Sequence, residues 1–163
     1  MLIYKPSLET VHLRESSKIQ THSLKETAYV ERVIDGDTMD VLIDGKKERI
    51  RLIGIDAPEF GYEGKQTMCF AKEAYKKAQE LLEKKSVKLE GDLTQDDRDT
   101  YKRLLRYVFL EDGTNINEEM IRSGFAREYT YKGIPYALQK EFLEVEKNAQ
   151  AAKVALWQDN PCP

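Results

Sequence analysis

The sequence predicts an α+β protein, mainly β, in which five short strands form a small barrel and three helices pack at one end. Several segments are rich in β-branched residues and alternate between apolar and polar positions, as half-buried strands do. Two other segments carry apolar residues at helical spacing, and a third has helix capping signals. The chain of 163 residues suffices for one hydrophobic core. We expect a domain at 28–163 after a flexible extension at 1–27.

The first three strands are predicted to form an antiparallel meander. Residues 28–34 and 37–44 are β-branched and partly alternating, and the Asp-Gly turn at 44–47 leads into a third strand. In that third strand, residues 48–55, Ile50 lies on one face and Arg51 on the other. Successive strands joined by short turns therefore place the start of the second strand beside the end of the third.

The rest of the chain adds a helix, two strands and two further helices. The order of the elements favours a partly open Greek-key barrel of the OB type, and a plain α+β sandwich is the alternative. Gly124 fits the residue after a helix C-terminus, and an Asn fits the cap at its start. In order, the predicted segments are a loop at 58–67, a helix at 69–85, strands at 86–92 and 101–110 around an acidic loop, a short helix at 117–124 and a helix from 138 to about 153.

Composition excludes several kinds of catalytic site. The two histidines, His12 and His22, precede the patterned region, so a catalytic triad or a His-ligated zinc is excluded from residue 28 onward. Cys69 and Cys162 are the only cysteines and lack the spacing of a thiolate zinc site. Any chemistry must therefore use carboxylates, arginines, lysines, tyrosines and a hard cation.

Charge and hydropathy also limit the partners. The net charge of -3 and the pI of 5.6 argue against a protein that coats nucleic acid by bulk electrostatics. No apolar run approaches the roughly 18 residues that a membrane span needs, so we expect no membrane partner. The first residues also lack the apolar core of a signal peptide.

Three acidic residues are expected to converge at one end of the meander. Asp37 opens the second strand, and Asp56 and Glu59 follow the third. Converging carboxylates, together with backbone carbonyls and water, suit a hard cation such as Ca²⁺. The alternative is that Asp35 and Asp37 only shape a turn, because Asp and Gly are the usual turn residues.

Two arginines favour a catalytic interpretation of these carboxylates. Arg51 lies on the strand that leads to Asp56, and Arg103 is predicted just inside the fifth strand. A guanidinium is suited to bidentate phosphate contacts. A hard cation, a free carboxylate and two arginines can hydrolyse a phosphodiester without histidine. The alternative is that Arg51 and Arg103 form surface ion pairs, which contribute little.

Three segments resemble the staphylococcal nuclease-like (thermonuclease) family. They are VIDGDTMDVLIDGKKERIRLIGIDAPE, DRDTYKRLLRYVFLEDGTNINEEMIRSGFA and ALW near the end, and the resemblance covers roughly residues 28–157. It implies an OB-fold barrel with three helices. It also implies Ca²⁺-dependent cleavage of DNA and RNA, single-stranded or locally melted, that leaves 5′-hydroxyl and 3′-phosphate ends. We further expect a monomer.

The resemblance assigns roles position by position. Asp37 and Asp56 resemble the metal-binding aspartates, and the backbone carbonyl of Ala57 is a further metal contact, although Ala57 replaces a threonine. Glu59 matches the proposed general base or water-orienting group, and Arg51 and Arg103 match the phosphate-clamping arginines. Thr100 replaces a phosphate-binding lysine. The positions that match nucleotide- or phosphate-binding residues are Lys65, Tyr101, Tyr129 and Tyr131, of which Tyr129 needs a one-residue shift and shares with Tyr131 the alternative of a packing role.

The alternative function is a catalytically weak or inactive module that binds nucleic acid or protein through the same barrel. The intact set of acidic and basic residues favours the enzyme. A local cationic rim is expected despite the acidic balance, formed by Lys46, Lys47, Arg51, Lys65, Lys102, Arg103, Arg106, Arg127 and Lys132.

The two cysteines leave two alternatives open. The fold that the resemblance implies returns the tail toward the first helix, so a disulfide between Cys69 and Cys162 would staple the tail and fit an exported protein. Two unpaired thiols in a cytosolic protein are the alternative. We expect a secreted or cell-envelope location rather than a cytoplasmic one.

Overall fold

A computed structural model describes residues 25–61 and 66–162 and shows a closed five-stranded barrel with three α-helices. The predicted fold class is therefore confirmed, but the barrel is closed and not partly open as predicted. The barrel strands, in chain order, are β1 (Lys25–Val33), β2 (Thr38–Ile43), β3 (Lys46–Leu52), β5 (Ser86–Glu90) and β6 (Leu104–Phe109), and the short strands β4 (Ile55–Asp56) and β7 (Arg127–Glu128) lie outside it. Around the barrel the order is β1-β2-β3-β6-β5.

The predicted meander is present. Strands β1, β2 and β3 pair antiparallel, with Thr38 of β2 opposite Arg51 of β3. Asp44 and Gly45 join β2 to β3 with φ angles of 49° and 76°, the left-handed pair of a tight hairpin turn. This register brings the start of β2 to the end of β3, and the Leu52 N–H donates to the Asp37 carbonyl at 2.9 Å.

Strand β1 begins earlier than predicted. It starts at Lys25, where the side chain forms an ion pair of 3.0 Å with Glu90 of β5, so residues 25–27 belong to the barrel and not to an extension. The alternation is hard to recognise there because polar residues occupy most positions before Ala28. Residues 1–24 of the predicted extension lie outside the described part of the chain.

Strand β6 closes the barrel through a long-range pairing. It runs parallel to β3, with Ile50 opposite Leu104, and antiparallel to β5, which in turn pairs with β1. Apolar side chains of all five strands fill the interior; Val30, Val41, Ile50, Leu89 and Val108 are fully buried. A buried Asn117 accepts the Val108 N–H and donates to the Ile53 carbonyl, and so fixes a helix on the barrel.

The first and third helices are shorter than predicted at both ends, whereas the second begins one residue and ends two residues earlier than predicted. They are α1 (Ala71–Leu82), α2 (Ile116–Arg122) and α3 (Gln139–Ala151). Gly124 adopts the left-handed conformation after α2, as predicted. The N-cap is Asn115, whose side chain accepts the Glu118 N–H, and not Asn117 at the start of the predicted helix. No described helix has the length and apolarity to cross a membrane.

Two strands were not predicted. Strands β4 and β7 contain two residues each and pair antiparallel, with Asp56 directly opposite Arg127. Two residues are too few to show an alternating pattern, so only the tertiary structure reveals them. This small sheet carries one predicted metal-binding residue and connects it to the chain after α2.

Candidate active site

Asp37 and Asp56 converge on the guanidinium of Arg51. Arg51 Nε lies 3.3 Å from Asp37 Oδ1, and its Nη2 donates to Asp56 Oδ1 at 3.3 Å. The meander therefore brings together three residues that the sequence assigned to one site. The arginine keeps two negative charges in close proximity, which would repel each other without it.

Backbone carbonyls hold Arg51 in place. Its Nη1 donates to the carbonyls of Leu52 and Ile55, both at 2.8 Å, and its side chain is only 14% exposed. Of its five N–H donors, only the second hydrogen of Nη2 has no partner in the described part of the chain. The guanidinium is thus oriented before any ligand arrives.

Asp37 is buried and fixed by its neighbours. Its Oδ2 accepts the Ala57 N–H at 2.7 Å, and its Oδ1 accepts the Thr38 hydroxyl at 3.0 Å. Asp35 shapes the turn by accepting the Asp37 N–H on its Oδ1 at 3.0 Å. Burial, followed by the charge of Asp37, raises the pKa of Asp35 to about 7.

Asp56 and Glu59 form the solvent-facing side of the site. The Asp56 side chain is 48% exposed. Burial raises its pKa, as do the charges of Asp37 and Glu59, while Arg51 and Arg127 oppose the shift. The Glu59 residue is exposed; its carbonyl accepts the Met68 N–H at 2.9 Å, which closes the loop between them.

Asp37 and Asp56 fit a hard cation that takes its remaining ligands from a backbone carbonyl and water. No group of three or more Asp, Glu, His or Cys residues within 25–61 and 66–162 has metal-binding geometry. Asp37 and Asp56 nevertheless present carboxylate oxygens side by side, and Asp56 Oδ2 has no partner among these residues. Ca²⁺ accepts two such carboxylates together with a backbone carbonyl and water.

Arg103 forms an ion pair with a nearby acid, as the alternative considered from the sequence describes. It lies just before β6 rather than inside it, and its Nε donates to Asp99 Oδ2 at 2.6 Å. Its guanidinium also lies 5.3 Å from the ring centroid of Tyr101. The structure gives Arg103 no contact with Asp37 or Asp56, but both terminal nitrogens are without a partner among the described residues.

The predicted nucleotide-binding tyrosines are exposed. Tyr101 is 78% exposed, and Tyr129 and Tyr131 lie with their ring centroids 6.3 Å apart, each about half exposed. None of the three is part of the buried core, but the rings of Tyr129 and Tyr131 contact each other, so a packing role and a nucleotide-binding role both stay predictions for this pair. Lys65 lies outside the described residues.

One member of the predicted cationic rim is not on the surface. Arg106 is 2% exposed and forms ion pairs with Glu26 and Asp97. An alternating strand places it inward, where paired acids compensate its charge. The rim prediction was therefore wrong for Arg106, whereas Lys102 and Lys132 are exposed.

A cavity lies away from the candidate site. It has a volume of about 730 Å³ and is lined by residues such as Tyr107, Asn115 and Leu138, with none of the predicted site residues. The acidic groups around it are largely paired within the protein: Asp92 accepts from Tyr107, and Glu118 pairs with Arg122. The candidate site is separate from this cavity.

The tail contains features that the sequence did not place at the site. Cys69 and Cys162 form a disulfide, the first of the two alternatives above. Arg127, opposite Asp56, lies with its guanidinium 4.5 Å from the ring centroid of Trp157. The charge of Arg127 was predicted only for the rim, because its neighbour across the sheet could not be known without β4 and β7.

Comparison with known proteins agrees with this geometry. A family model described as staphylococcal nuclease homologue matches residues 49–159. The chain is 36% identical over 133 residues to the thermonuclease of Staphylococcus hyicus, covering 82% of this chain and 76% of that protein. It is 34% identical over 138 residues to the micrococcal nuclease of Shigella flexneri, covering 80% and 72%.

A third relative is the endonuclease YncB of Bacillus subtilis, 32% identical over 149 residues. The match covers 91% of this chain and 66% of YncB, so that relative is considerably longer. The family match spans the end of β3, strands β5 and β6, and α1, α2 and α3, and it includes Arg51, Asp56, Glu59 and Arg103. The chain belongs to the staphylococcal nuclease family.

Proposed function

We propose that the protein is a Ca²⁺-dependent endonuclease that hydrolyses phosphodiester bonds of DNA and RNA and leaves 5′-hydroxyl and 3′-phosphate ends. The observation that supports it best is the arrangement of Asp37 and Asp56 around the guanidinium of Arg51. Asp37 lies 3.3 Å from Nε, and Asp56 lies 3.3 Å from Nη2. A module that only binds nucleic acid has no physical need for two carboxylates beside a phosphate-clamping arginine. The names of the relatives support the same reaction class.

The cation site consists of Asp37, Asp56 and the Ala57 carbonyl. Bound there, Ca²⁺ supplies positive charge beside the scissile phosphate. The buried Asp37 is held by the Ala57 N–H and the Thr38 hydroxyl, so its carboxylate does not have to reorganise. The more exposed Asp56 has an oxygen, Oδ2, that can bind the cation.

The two arginines stabilise the charge that develops on the phosphate. Arg51 has one Nη2 hydrogen left for a phosphate oxygen. Arg103 uses only its Nε for Asp99, so both terminal nitrogens can form a bidentate contact. Asp99 is thus a positioning residue, because it aims the fork of Arg103.

Glu59 is the group that acts on water. Its exposed position at the end of the acidic pair allows it to accept a proton from a water molecule as the oxygen attacks phosphorus. The bond from phosphorus to the 5′-oxygen then breaks, and that oxygen takes a proton from solvent. The phosphate stays on the 3′ side, which accounts for the proposed ends.

The nucleotide itself is held by exposed aromatic groups. Tyr129 and Tyr131 offer adjacent rings, and Tyr101 lies beside Arg103. Stacking on such rings requires unpaired bases, so single-stranded or locally melted nucleic acid should be preferred. Lys65 is assigned to phosphate binding by the family resemblance. The protein should act as a monomer without a membrane partner.

The decisive experiment is digestion of single-stranded DNA and RNA at low salt and mildly alkaline pH, with Ca²⁺ or with a chelator. We expect cleavage only with Ca²⁺, and products that polynucleotide kinase labels without prior dephosphorylation. Arg103→Ala should lose most of the rate, whereas Arg122→Ala, a surface arginine paired within α2, should keep it. Binding of DNA without cleavage in Ca²⁺ would instead support the non-catalytic module.

We also place the protein in a secreted or cell-envelope compartment. The Cys69–Cys162 disulfide supports this, because such bonds persist mainly in oxidising environments. Fractionation of the native cells, followed by mass measurement with and without reductant, tests both points. Recovery in the reduced cytosolic fraction would contradict the assignment.

A further inference from the structure

We propose that the C-terminal strap, residues 154–162, positions both Asp56 and Glu59, and that the disulfide locks this strap so that the nuclease loses activity when the bond is reduced. The inference rests on the proposed function for its activity and Ca²⁺-binding readouts, whereas the emission of Trp157 reports the strap independently. It concerns Trp157 and Cys162, which do not touch the substrate and act through Arg127 and Cys69. They are positioning residues.

The strap is attached to the corner between α2 and β7. The Leu156 N–H donates to the Gly124 carbonyl at 3.1 Å. The backbone approach is so close that a Cβ on Gly124 would lie 2.5 Å from the Val154 carbonyl oxygen. Leu156 itself is buried. The beginning of the strap therefore packs directly on the chain that leads into β7.

The next attachment supports Asp56. The guanidinium of Arg127 lies 4.5 Å from the centroid of the Trp157 ring, a favourable cation–π arrangement. Arg127 belongs to β7 and pairs with Asp56 across the two-stranded sheet. A sheet of two residues per strand has little stability of its own. Trp157 therefore contributes to holding the strand that carries Asp56.

The last attachment supports Glu59. Cys162 is bonded to Cys69, which follows Met68. Met68 donates its N–H to the Glu59 carbonyl at 2.9 Å, and the Glu59 N–H donates to Met68 Sδ at 3.5 Å. The disulfide is thus one residue away from the contact that closes the Glu59 loop. Both carboxylates on the exposed side of the site depend on the same strap.

The strap backbone is not a relaxed conformation. Ala155 and Asn160 have φ angles of 43° and 56°, in the left-handed region that costs non-glycine residues about 1 kcal/mol or more each. Such a segment keeps its shape only while surrounding contacts enforce it. Removal of the covalent attachment should therefore release the strap rather than leave it in place.

Reduction is a balanced dithiol exchange. A dithiol reductant attacks one sulfur of the Cys69–Cys162 bond, forms a mixed disulfide and then closes to its own cyclic disulfide. Two electrons and two protons pass to the protein, and Cys69 and Cys162 become thiols. The Cys69 residue is exposed, so the reductant can reach the bond without global unfolding.

The test compares oxidised protein, protein reduced with dithiothreitol, and Cys162→Ser. The protein has one tryptophan, Trp157, so its emission reports the strap directly. We expect a red-shifted emission, a kcat on single-stranded DNA reduced roughly 10- to 100-fold, as misplacement of catalytic groups typically causes, and weaker Ca²⁺ binding by calorimetry. Far-UV circular dichroism, recorded below the melting temperatures of both the oxidised and the reduced protein, should show that the fold persists.

Matched variants separate positioning from simple stabilisation. With the disulfide intact, Trp157→Ala should reproduce the loss of kcat and of Ca²⁺ affinity, and Trp157→Phe should restore most of both because the ring remains. Dithiothreitol should have no further effect on Cys162→Ser. If Trp157→Ala does not fold, reduced wild type and Trp157→Phe still provide the comparison.

Two results are distinguishable. Reduced, folded protein with unchanged kcat, emission and Ca²⁺ affinity would overturn the strap proposal and leave the disulfide as a stabilising staple. Absence of cleavage by the oxidised wild type would contradict the proposed function instead. In that case a loss of Ca²⁺ affinity on reduction would still support the strap, and unchanged affinity would overturn it.

Discussion

Arg51 combines structural and electrostatic roles in a single side chain. It bonds the carbonyls of Leu52 and Ile55 and lies beside the carboxylates of Asp37 and Asp56. Only a planar guanidinium with five donors can serve these four directions at once. The surface ion pair considered from the sequence is therefore an inadequate description of this half-buried residue.

Arg51→Lys should nearly abolish cleavage although it keeps the charge. A lysine ammonium is a point donor and cannot bridge both carboxylates while bonding two carbonyls. We expect kcat to fall about 10²- to 10³-fold, the typical loss for one charge-stabilising donor, with some loss of stability. Single-turnover cleavage and chemical denaturation measure the two effects. Arg49→Lys, on the same strand but paired with Asp40, is the control, and equal losses in both variants would contradict the assignment.

Asp35 makes stability depend on pH in the absence of Ca²⁺. Its pKa of about 7 in the folded protein lies above the ordinary value of 3.8. The folded state therefore binds the proton more tightly than the unfolded state does. The contribution of Asp35 to the free energy of unfolding is therefore most favourable below the unfolded pKa. It falls as the pH rises from about 4 toward 7, and it no longer changes above that range.

Asp35→Asn should remove this destabilisation. The amide oxygen can still accept the Asp37 N–H that shapes the turn, but it carries no buried charge. We expect the variant to be more stable than wild type by about 2 to 4 kcal/mol at pH 8 with chelator present, and the two to converge near pH 4. Urea denaturation across this range measures the difference. A wild-type stability that rises from pH 4 to 7 through Asp35 would contradict the prediction.

At the scale of elements, the turn between β1 and β2 must lie close to β4 and α1. A Cβ on Gly36 would lie 2.5 Å from the Ala57 Cβ and 3.0 Å from the Ala74 Cβ. The φ of Gly36 is not in the left-handed region. Glycine is therefore needed here for close approach between elements, and not for an unusual turn conformation.

Gly36→Ala should separate the turn from β4 and weaken the cation site. The methyl group must displace the backbone near Ala57, whose N–H holds Asp37. We expect a loss of about 1 to 3 kcal/mol in unfolding free energy, as overpacking costs, and several-fold weaker Ca²⁺ binding by calorimetry. Gly45→Ala is a matched control, because Gly45 has open space but a φ of 76°. It should lose stability without losing Ca²⁺ affinity, and the same Ca²⁺ loss in both would contradict this explanation.

The sequence predicts those elements whose signals are local. Alternation and the turn at Asp44 and Gly45 specify the meander, and the meander places Asp37 beside the end of the strand that leads to Asp56. Helical spacing similarly specifies α1. The convergence of the acidic pair was predictable because two short connections leave little freedom in how three strands can pair.

The remaining parts depend on contacts between distant residues. The parallel pairing of β3 with β6 and the two-residue strands β4 and β7 have no periodic signal of their own. For the same reason the Arg127–Trp157 contact was not foreseen, although both residues were visible in the sequence. Burial of Arg106 was also missed, because its partners Glu26 and Asp97 come from other segments.

At the scale of the whole molecule, the basic side chains are not equally free to attract a polyanion. The chain has 26 basic and 29 acidic residues, so the overall field repels nucleic acid. Several basic side chains are also paired internally, such as Lys47 with Glu31 and Arg98 with Glu48. Attraction must therefore come from a few groups near the site, mainly Arg51, Arg103 and neighbouring lysines. These contacts act over short distances against an unfavourable background.

The rate of cleavage should accordingly fall as the salt concentration rises, because substrate binding weakens while the chemical step is unchanged. About three phosphate contacts on a single strand give a slope near −2 in log–log form, so kcat/KM should fall roughly ten- to twentyfold between about 50 and 200 mM salt. KM should account for this loss, because Arg51 and Asp37 are shielded from solvent and therefore weakly screened by salt. Initial rates over a range of DNA and salt concentrations at saturating Ca²⁺ measure the two constants. A salt-independent KM would show that the negative surface and the few basic contacts do not govern substrate binding.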